Sequence, residues 1–462
     1  MGNVLMYVVG VVILVVGVLV SIGLHEIGHM VPAKKFGVRV SQYMVGFGPT
    51  IWSKTKGETE YGLKWIPLGG YVRLVGMYPT DEAVGAKKPT TWWGRTAADA
   101  RAASAEEIHE GEDHRAFYRL STPKKLVVMF GGPVMNLLLA VVLMGIVMVG
   151  IGVPTQTTTI ASVEDCILVG EQTKCPAAAV PAPAKTAGLQ PGDVIVSWDG
   201  HKADSWADVR GAIRGSSTVP GVGKEVQVVI ERDGRLMTLP ITVEPVCRDK
   251  SGKVVSCESE AVVCSDRSGK KVKCTSSGAT KAAGYAGIVS AERTQRKPVW
   301  EVPTTVGSMV WQVGDIVAHL PQRVWDVADR TINGEGRGEE SVLSIVGVGR
   351  IAGDTTSVDA SADSLVSGPT DRIRMLLGVL AALNISLFVF NLIPLPPLDG
   401  GHITAALWEG ARRQVSRLRG QVRTRPADSA RLVPVGYAMF VLLLAMGVML
   451  IWADIVNPVK FT

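Results

Sequence analysis

Charge is what this sequence is short of. Asp, Glu, Lys and Arg make up 19% of its 462 residues, below the roughly 25% usual for soluble domains. They are missing altogether from Met1 to Leu24, between Lys125 and Glu164, between Arg374 and Asp399, and between Arg431 and Asp454. Each gap holds at least the ~20 apolar residues that cross a bilayer core. A single-domain soluble enzyme is excluded, as is a disordered or fibrous chain. The net charge of +6 lacks a basic stripe with interleaved aromatic rings, so nucleic acid is not an expected partner. The first apolar stretch also lacks a basic n-region and a small-residue cleavage site, so it reads as a span, not a cleavable signal.

Four transmembrane segments are expected, at about 4–30, 126–153, 375–399 and 432–453. Their orientation follows from the basic residues near their ends. Lys34, Lys35, Arg39, Arg119, Lys124 and Lys125 lie between the first two spans. Arg412, Arg413, Arg417, Arg419, Arg423, Arg425 and Arg431 follow the third. Arg372 and Arg374, on the other side of that span, are outnumbered. Both termini are then extracytoplasmic, and residues 154–370 form a large outer domain.

All six cysteines (Cys166, Cys175, Cys247, Cys257, Cys264 and Cys274) fall in that outer segment, where disulfides persist. Cys247–Cys257 and Cys264–Cys274 bracket two similar stretches, each with a Ser-Gly turn at its middle. Local pairing, with Cys166 to Cys175, is the simplest of the 15 connectivities that six cysteines allow. A zinc knuckle is the rival reading, although the spacing lacks C-x2-C.

The string His25-Glu26-Ile27-Gly28-His29 ends the first span. Residues i and i+4 of a helix share a face, so both imidazoles can bind one zinc while Glu26 faces the metal-activated water. The bland alternative is a histidine pair satisfied at a helix end, but ionisable groups in an apolar span are costly and usually functional. A catalytic zinc needs a third protein ligand. No histidine follows at the x-x-G-x-x spacing, and no Glu occurs within the twenty-odd residues after His29. Asp399 is the other unpaired acid at membrane depth, closing a stretch that runs from Asn391 through Pro394, Pro396 and Pro397 to Asp399, Gly400 and His402. Prolines break a helix, and broken backbone at that depth is tolerated only around a protein-lined cavity.

HExxH on a first span with N-x-x-P-x-P-x-x-D-G on a later one resembles the site-2 protease family of intramembrane zinc metalloproteases. Phe47-Gly48-Pro49-Thr50, Ile66 to Val72, and Gly131-Gly132-Pro133-Val134-Met135-Asn136 extend the likeness. The form with four spans and an inserted PDZ domain is similar to the regulator-of-sigma-E protease type, especially its actinobacterial members. The resemblance implies His25, His29 and Asp399 as ligands of one catalytic zinc ion and Glu26 as the base. It implies Asn391 and Asn136 as groups that position substrate or steady the oxyanion. His402, past Asp399, reads as a supporting group.

The expected fold is a polytopic α-helical membrane protein with a membrane-associated β-hairpin and an inserted extracytoplasmic PDZ-like α+β domain. Its parts are the first helix (1–42), a hairpin and loop (43–123, with 78–118 a solvated linker) and the second helix (124–154). The PDZ-like domain with its cysteine-rich insertion (155–295) and an amphipathic region (296–370) follow. The third helix carries the LDG motif (371–400); a basic cytoplasmic loop (401–431) and the fourth helix and tail (432–462) complete the chain. Ala184 to Gly200 resembles a PDZ turn-strand-turn core, with strands near 225–231 and 237–244 about an Asp233-Gly234 turn. The apolar stripe from Met309 to Val327 suits either an interfacial helix or one packed on that domain, kinked at Pro321. Ser344 to Gly349 matches the stretch before the family's third span.

The implied activity is regulated intramembrane proteolysis in the plasma membrane. Its substrates would be single-pass proteins of the anti-sigma-factor type, first trimmed by another protease, with membrane lipid as the other partner. A non-catalytic PDZ-bearing scaffold with a structural metal site is the alternative. A transporter should show matching broken halves, and none is evident. Peptide mapping of the intact, non-reduced chain should recover three local disulfides, Cys166–Cys175, Cys247–Cys257 and Cys264–Cys274; a peptide bridging the two repeats would reject this pairing.

Overall fold

The computed structural model describes residues 2–167, 175, 179–218, 222–248, 254–255, 263–265, 271–273, 283–333, 347, 368–420 and 425–457. The chain forms two compact units, residues 1–151 with 297–462, and residues 152–296.

The membrane unit opens with α1 (Gly2–Lys35), β1 (Val40–Lys56) and β2 (Thr59–Leu74), then α2 (Asp81–Val84), α3 (Trp92–Glu106) and α4 (Thr122–Gly145). Within the inserted unit come β3 (Val153–Val163), α5 (Pro183–Thr186), β4 (Val194–Trp198), β5 (His201–Lys202), α6 (Trp206–Ser216), β6 (Lys224–Arg232) and β7 (Arg235–Arg248). Its later strands are β8 (Val254–Val255), β9 (Val263–Ser265), β10 (Lys271–Lys273), β11 (Ala283–Tyr285) and β12 (Ile288–Gln295). The membrane unit resumes with α7 (Glu301–Ala318), α8 (Leu320–Ile332), α9 (Pro369–Asn391), α10 (Asp399–Leu418) and α11 (Val433–Val456).

Four stretches of helix among the described residues are long and apolar enough to span a bilayer: Tyr7–Lys35, Thr122–Ile151, Pro369–Asn391 and Ser429–Val456. Polar and small residues lock them together where lipid-like side chains cannot. Gly28 of α1 and Gly131 of α4 meet backbone to backbone, and a Cβ on either would lie 2.0–2.2 Å from the other's carbonyl oxygen. Such small-residue crossings allow helix axes to approach closely in a membrane. Asn384 of α9 donates to Ser21 Oγ of α1 at 3.0 Å. Lys125 of α4 meets Glu409 of α10 at 2.7 Å, both side chains being less than one-tenth exposed.

The expected hairpin is a folded ribbon. Tyr43 pairs with both Val72 and Tyr61, and Tyr61 pairs in turn with Lys54. Each long strand therefore doubles back, giving four ribbons in the order 70–74, 40–45, 60–63 and 52–56. Positive φ at Gly46, Gly48 and Gly69 accommodates the bends. The 70–74 ribbon is outermost, and it lies on α1 where Gly70 would press a Cβ to 2.9 Å from Ile22 and 3.2 Å from Glu26.

Three expected boundaries change. The third apolar helix ends at Asn391, so the LDG motif belongs to the next helix; the prolines between them cannot continue the amide ladder. The basic stretch 401–431, expected as a loop, is largely α10, because its Ala, Leu, Glu and Arg residues favour helix once Asp399 opens the first turn. The supposed linker 78–118 contains α2 and α3, both capped by threonines (Thr80 and Thr91), and buries Arg101 against Asp81 and Asp428. The Met309–Val327 stripe divides at His319, just before Pro321.

In the inserted unit the strand order is β11-β7-β6-β4-β3-β12, with β5 beside β4 and β8 beside β7. Asp233 and Gly234 turn the β6–β7 hairpin with positive φ at both positions, the backbone that a two-residue hairpin requires. Trp198, Ile195, Val228, Ile230 and Val209 are among the buried residues of its core. Cys166 and Cys175 are joined by a disulfide. Cys257 and Cys274, and with them the expected pairs to Cys247 and Cys264, lie outside the described residues, as do most of residues 344–349.

Removing one partner of a buried ion pair strands the other charge. Arg413 also pairs with Glu409, so Lys125→Met should cost less than the about 3–5 kcal/mol of a fully stranded charge, and the Lys125→Met, Glu409→Met double variant should recover most of that loss. Thermal unfolding in detergent measures both; a double variant no more stable than the single would reject the role of the pair.

Candidate metal centre

One turn of α1 presents the two histidines on the same face, their Nε2 atoms 3.2 Å apart. The start of α10 brings Asp399 to them, with Oδ2 at 3.3 Å from each Nε2. That oxygen is buried, yet it makes no hydrogen bond. Three potential ligand atoms thus face one another around a single point. Among the described residues this is the one cluster of three or more His, Cys, Asp or Glu able to hold an ion.

The scaffolding of the trio comes from α4 and the turn before α10. Gly132 faces the imidazoles so closely that a Cβ would lie 2.1 Å from His29 Nε2. His29 Nδ1 lies 2.8 Å from the Val128 carbonyl oxygen, to which it donates when protonated there, leaving Nε2 its lone pair. Asn136, fully buried, lies 3.0 Å from His25 Nδ1 through its amide nitrogen, while its Oδ1 has no hydrogen bond. Amide orientation is an assignment. With O and N exchanged, Oδ1 accepts from His25 Nδ1–H, and both imidazoles then turn bare Nε2 atoms toward Asp399. Past the third apolar helix, the chain folds back so tightly that a Cβ on Gly400 would lie 2.1 Å from the Ile393 oxygen. Gly400 and Gly401 let the proline-rich turn lie against the first turn of α10, where Asp399 sits at the positive end of the helix dipole.

Glu26 neighbours the trio on α1 and is also reached by the Val72 backbone N–H of the outer ribbon. The structure thus gathers His25, Glu26, His29, Asp399 and Asn136. Asn391 is the half-buried last residue of α9 and makes no hydrogen bond to the trio among the described residues. The ring of His402 packs 6.4 Å from that of Tyr78. Val128 was not singled out from the sequence, and Gly132 and the Gly70–Val72 ribbon entered only as parts of the family likeness, without a role at the site. Glycines spaced along apolar helices are a usable signal for close approach, but a backbone carbonyl carries none.

The match to the model of peptidase family M50 covers residues 13–424. The chain belongs to that family. It is 31% identical over 468 residues to the zinc metalloprotease Rip1 of Mycobacterium tuberculosis, covering 99% of both chains. Rip1 of Mycolicibacterium smegmatis is 29% identical, again over 99% of each chain. The metalloprotease MmpA of Caulobacter vibrioides is 25% identical over 91% of each. This M50 chain is accordingly a membrane zinc metalloprotease, and zinc is its cofactor.

The donor set fits that ion. Zinc bonds of about 2.0–2.2 Å in a tetrahedron place neighbouring ligand atoms about 3.3–3.6 Å apart, against 3.2, 3.3 and 3.3 Å here. In this M50 site, His25, His29 and Asp399 are the groups able to hold zinc, with a fourth position left for reactants. Asn136→Ala removes the partner of His25 Nδ1 and should lower zinc affinity roughly 10–100-fold, measured by zinc retention against a competing chelator. Undiminished retention would show that Asn136 does not orient the ligand.

Proposed function

We propose that the protein is an intramembrane endopeptidase that cuts single-pass membrane proteins of the anti-sigma-factor type during regulated intramembrane proteolysis. In this reading His25, His29 and Asp399 hold the zinc, and Glu26 is the catalytic base. The observation that carries it is the convergence of two histidines and a distant aspartate, in a membrane-embedded unit, on a point beside Glu26. When bound, zinc acidifies a water molecule and polarises the scissile carbonyl. Glu26 takes the proton of the attacking water at its carboxylate and returns it to the leaving amine.

A helical substrate must unwind before its amides can be reached, since its backbone groups are paired internally. The outer ribbon 70–74 supports this step. Among the described residues no further strand pairs with its outer edge next to Glu26, where an extended chain could add. Asn391, at the end of α9, is assigned to positioning that strand or the oxyanion. For Asn136 the contact with His25 supports holding the imidazole, in place of the substrate-facing part that its motif suggested.

The basic residues around α10 and between the first two spans support a cytoplasmic location for those segments, with both termini and residues 152–296 outside. The turn, hairpin and antiparallel sheet of the inserted unit support a PDZ-like domain that binds chain ends exposed by an earlier cleavage.

Glu26→Gln keeps the shape and the three donor groups while removing the base. Zinc content should be unchanged, and cleavage of a membrane-embedded single-pass substrate should fall to background in reconstituted vesicles. Turnover at the wild-type rate would reject Glu26 as the base.

A further inference from the structure

Away from the metal centre, the membrane unit contains an open cleft of about 970 Å³ between residues 84–87, α10 and the 425–432 segment leading into α11. Five cations line it, Lys87, Arg412, Arg413, Arg425 and Arg431, against two carboxylates, Glu409 and Asp428. Both acids are already engaged from outside the cleft. Glu409 is held by Lys125 at 2.7 Å, and Asp428 by the buried Arg101 at 3.1 Å. Arg413 and Arg431 share those same acids. Lys87, Arg412 and Arg425 have no ion pair among the described residues. Among the described residues, the cleft therefore carries positive charge that no acid neutralises.

Its shape is specific. Gly85 closes α2 at φ +64°, and a Cβ there would lie 2.6 Å from Arg425 Nη1. Glycine suits the left-handed backbone there. The α10 side mixes polar and apolar groups. Its apolar part is confined to Ala405 and Trp408, the latter 63% exposed; Leu407, Val415 and Leu418 are exposed on the same helix outside the cleft. Leu432, at the cleft's other side, lies within the fourth apolar span. A half-wet tryptophan beside arginines at the foot of a span is the composition of a membrane–water boundary. Cations at that level meet the phosphates of anionic lipids.

We propose that this cleft binds the headgroup of an anionic phospholipid. Arg412, Arg425 and Lys87 take the phosphate, and Trp408 lies at the glycerol–acyl boundary. A free phosphate ion would satisfy the cations but leaves the exposed Trp408 and Leu432 beside them without purpose. The proposal does not depend on the metal centre.

The test uses the full-length protein in detergent with an equimolar mixture of phosphatidylglycerol and phosphatidylcholine, read by native mass spectrometry. Phosphatidylglycerol should be retained about tenfold or more in preference. Lys87→Gln, Arg412→Gln and Arg425→Gln together should abolish that preference with zinc content unchanged. Arg412→Gln alone, at an exposed position that strands no partner, should lower it in the same direction. Lys88→Gln, Arg417→Gln and Arg419→Gln remove equal charge outside the cleft and should leave the preference intact. The proposal is overturned if the cleft variants keep the preference, or if the control set loses as much. It is equally overturned if inorganic phosphate displaces the lipid, which would make the occupant a free anion.

Discussion

The crossing of α1 and α4 at Gly28 and Gly131 sets the distance on which the membrane unit depends. Because neither residue has a side chain, the two backbones touch, and Gly132 lies against the imidazoles of His25 and His29. The same approach places the Val128 carbonyl and the Asn136 amide on the rear nitrogens of those rings. A methyl group at any of the three glycines would separate the helices and release both rings from the partners that set their tautomers. Ligand orientation here is a consequence of helix packing.

Asp399 arrives by a separate route and is held by separate forces. A tight proline-rich turn ends α9, and two glycines allow it to lie against the start of α10. Further along α10, Glu409 bonds Lys125 on α4, the helix that supports the histidines. One long helix is thus pinned at its start by the turn and farther on by a buried ion pair. The pair ties two helices far apart in the chain and so fixes their register as well as their distance. The same Glu409 sits at the wall of the basic cleft, where the neighbouring Arg412 has no ion pair among the described residues.

Much of the centre was legible in the residues. The i, i+4 spacing of His25 and His29 is a local helical property, and the charge gaps marked the spans because hydrocarbon excludes charge. Pro394, Pro396 and Pro397 announced a break, and the lone carboxylate after it pointed to Asp399. What escaped was of another kind. The segment 401–431 looked like a loop because its arginines masked the Ala, Leu and Glu residues that make it helical. The linker 78–118 hid a helix whose buried Arg101 is matched by Asp428, 327 residues away. The β1–β2 pair read as a simple hairpin, since nothing local shows that Tyr61 pairs with two different ribbons.

The sequence by itself determined the four spans, the histidine pair with its adjacent Glu26, and the break before Asp399. Each is written in short-range spacing, charge or backbone chemistry. Only the tertiary structure decided that Asp399 reaches both histidines, that Asn136 faces His25, and that the outer ribbon lies on Glu26. It alone decided that unpaired cations gather in one cleft. These contacts join segments up to several hundred residues apart, and they arise where glycines and buried polar pairs allow backbones to meet, a property of the packed whole that no local pattern encodes.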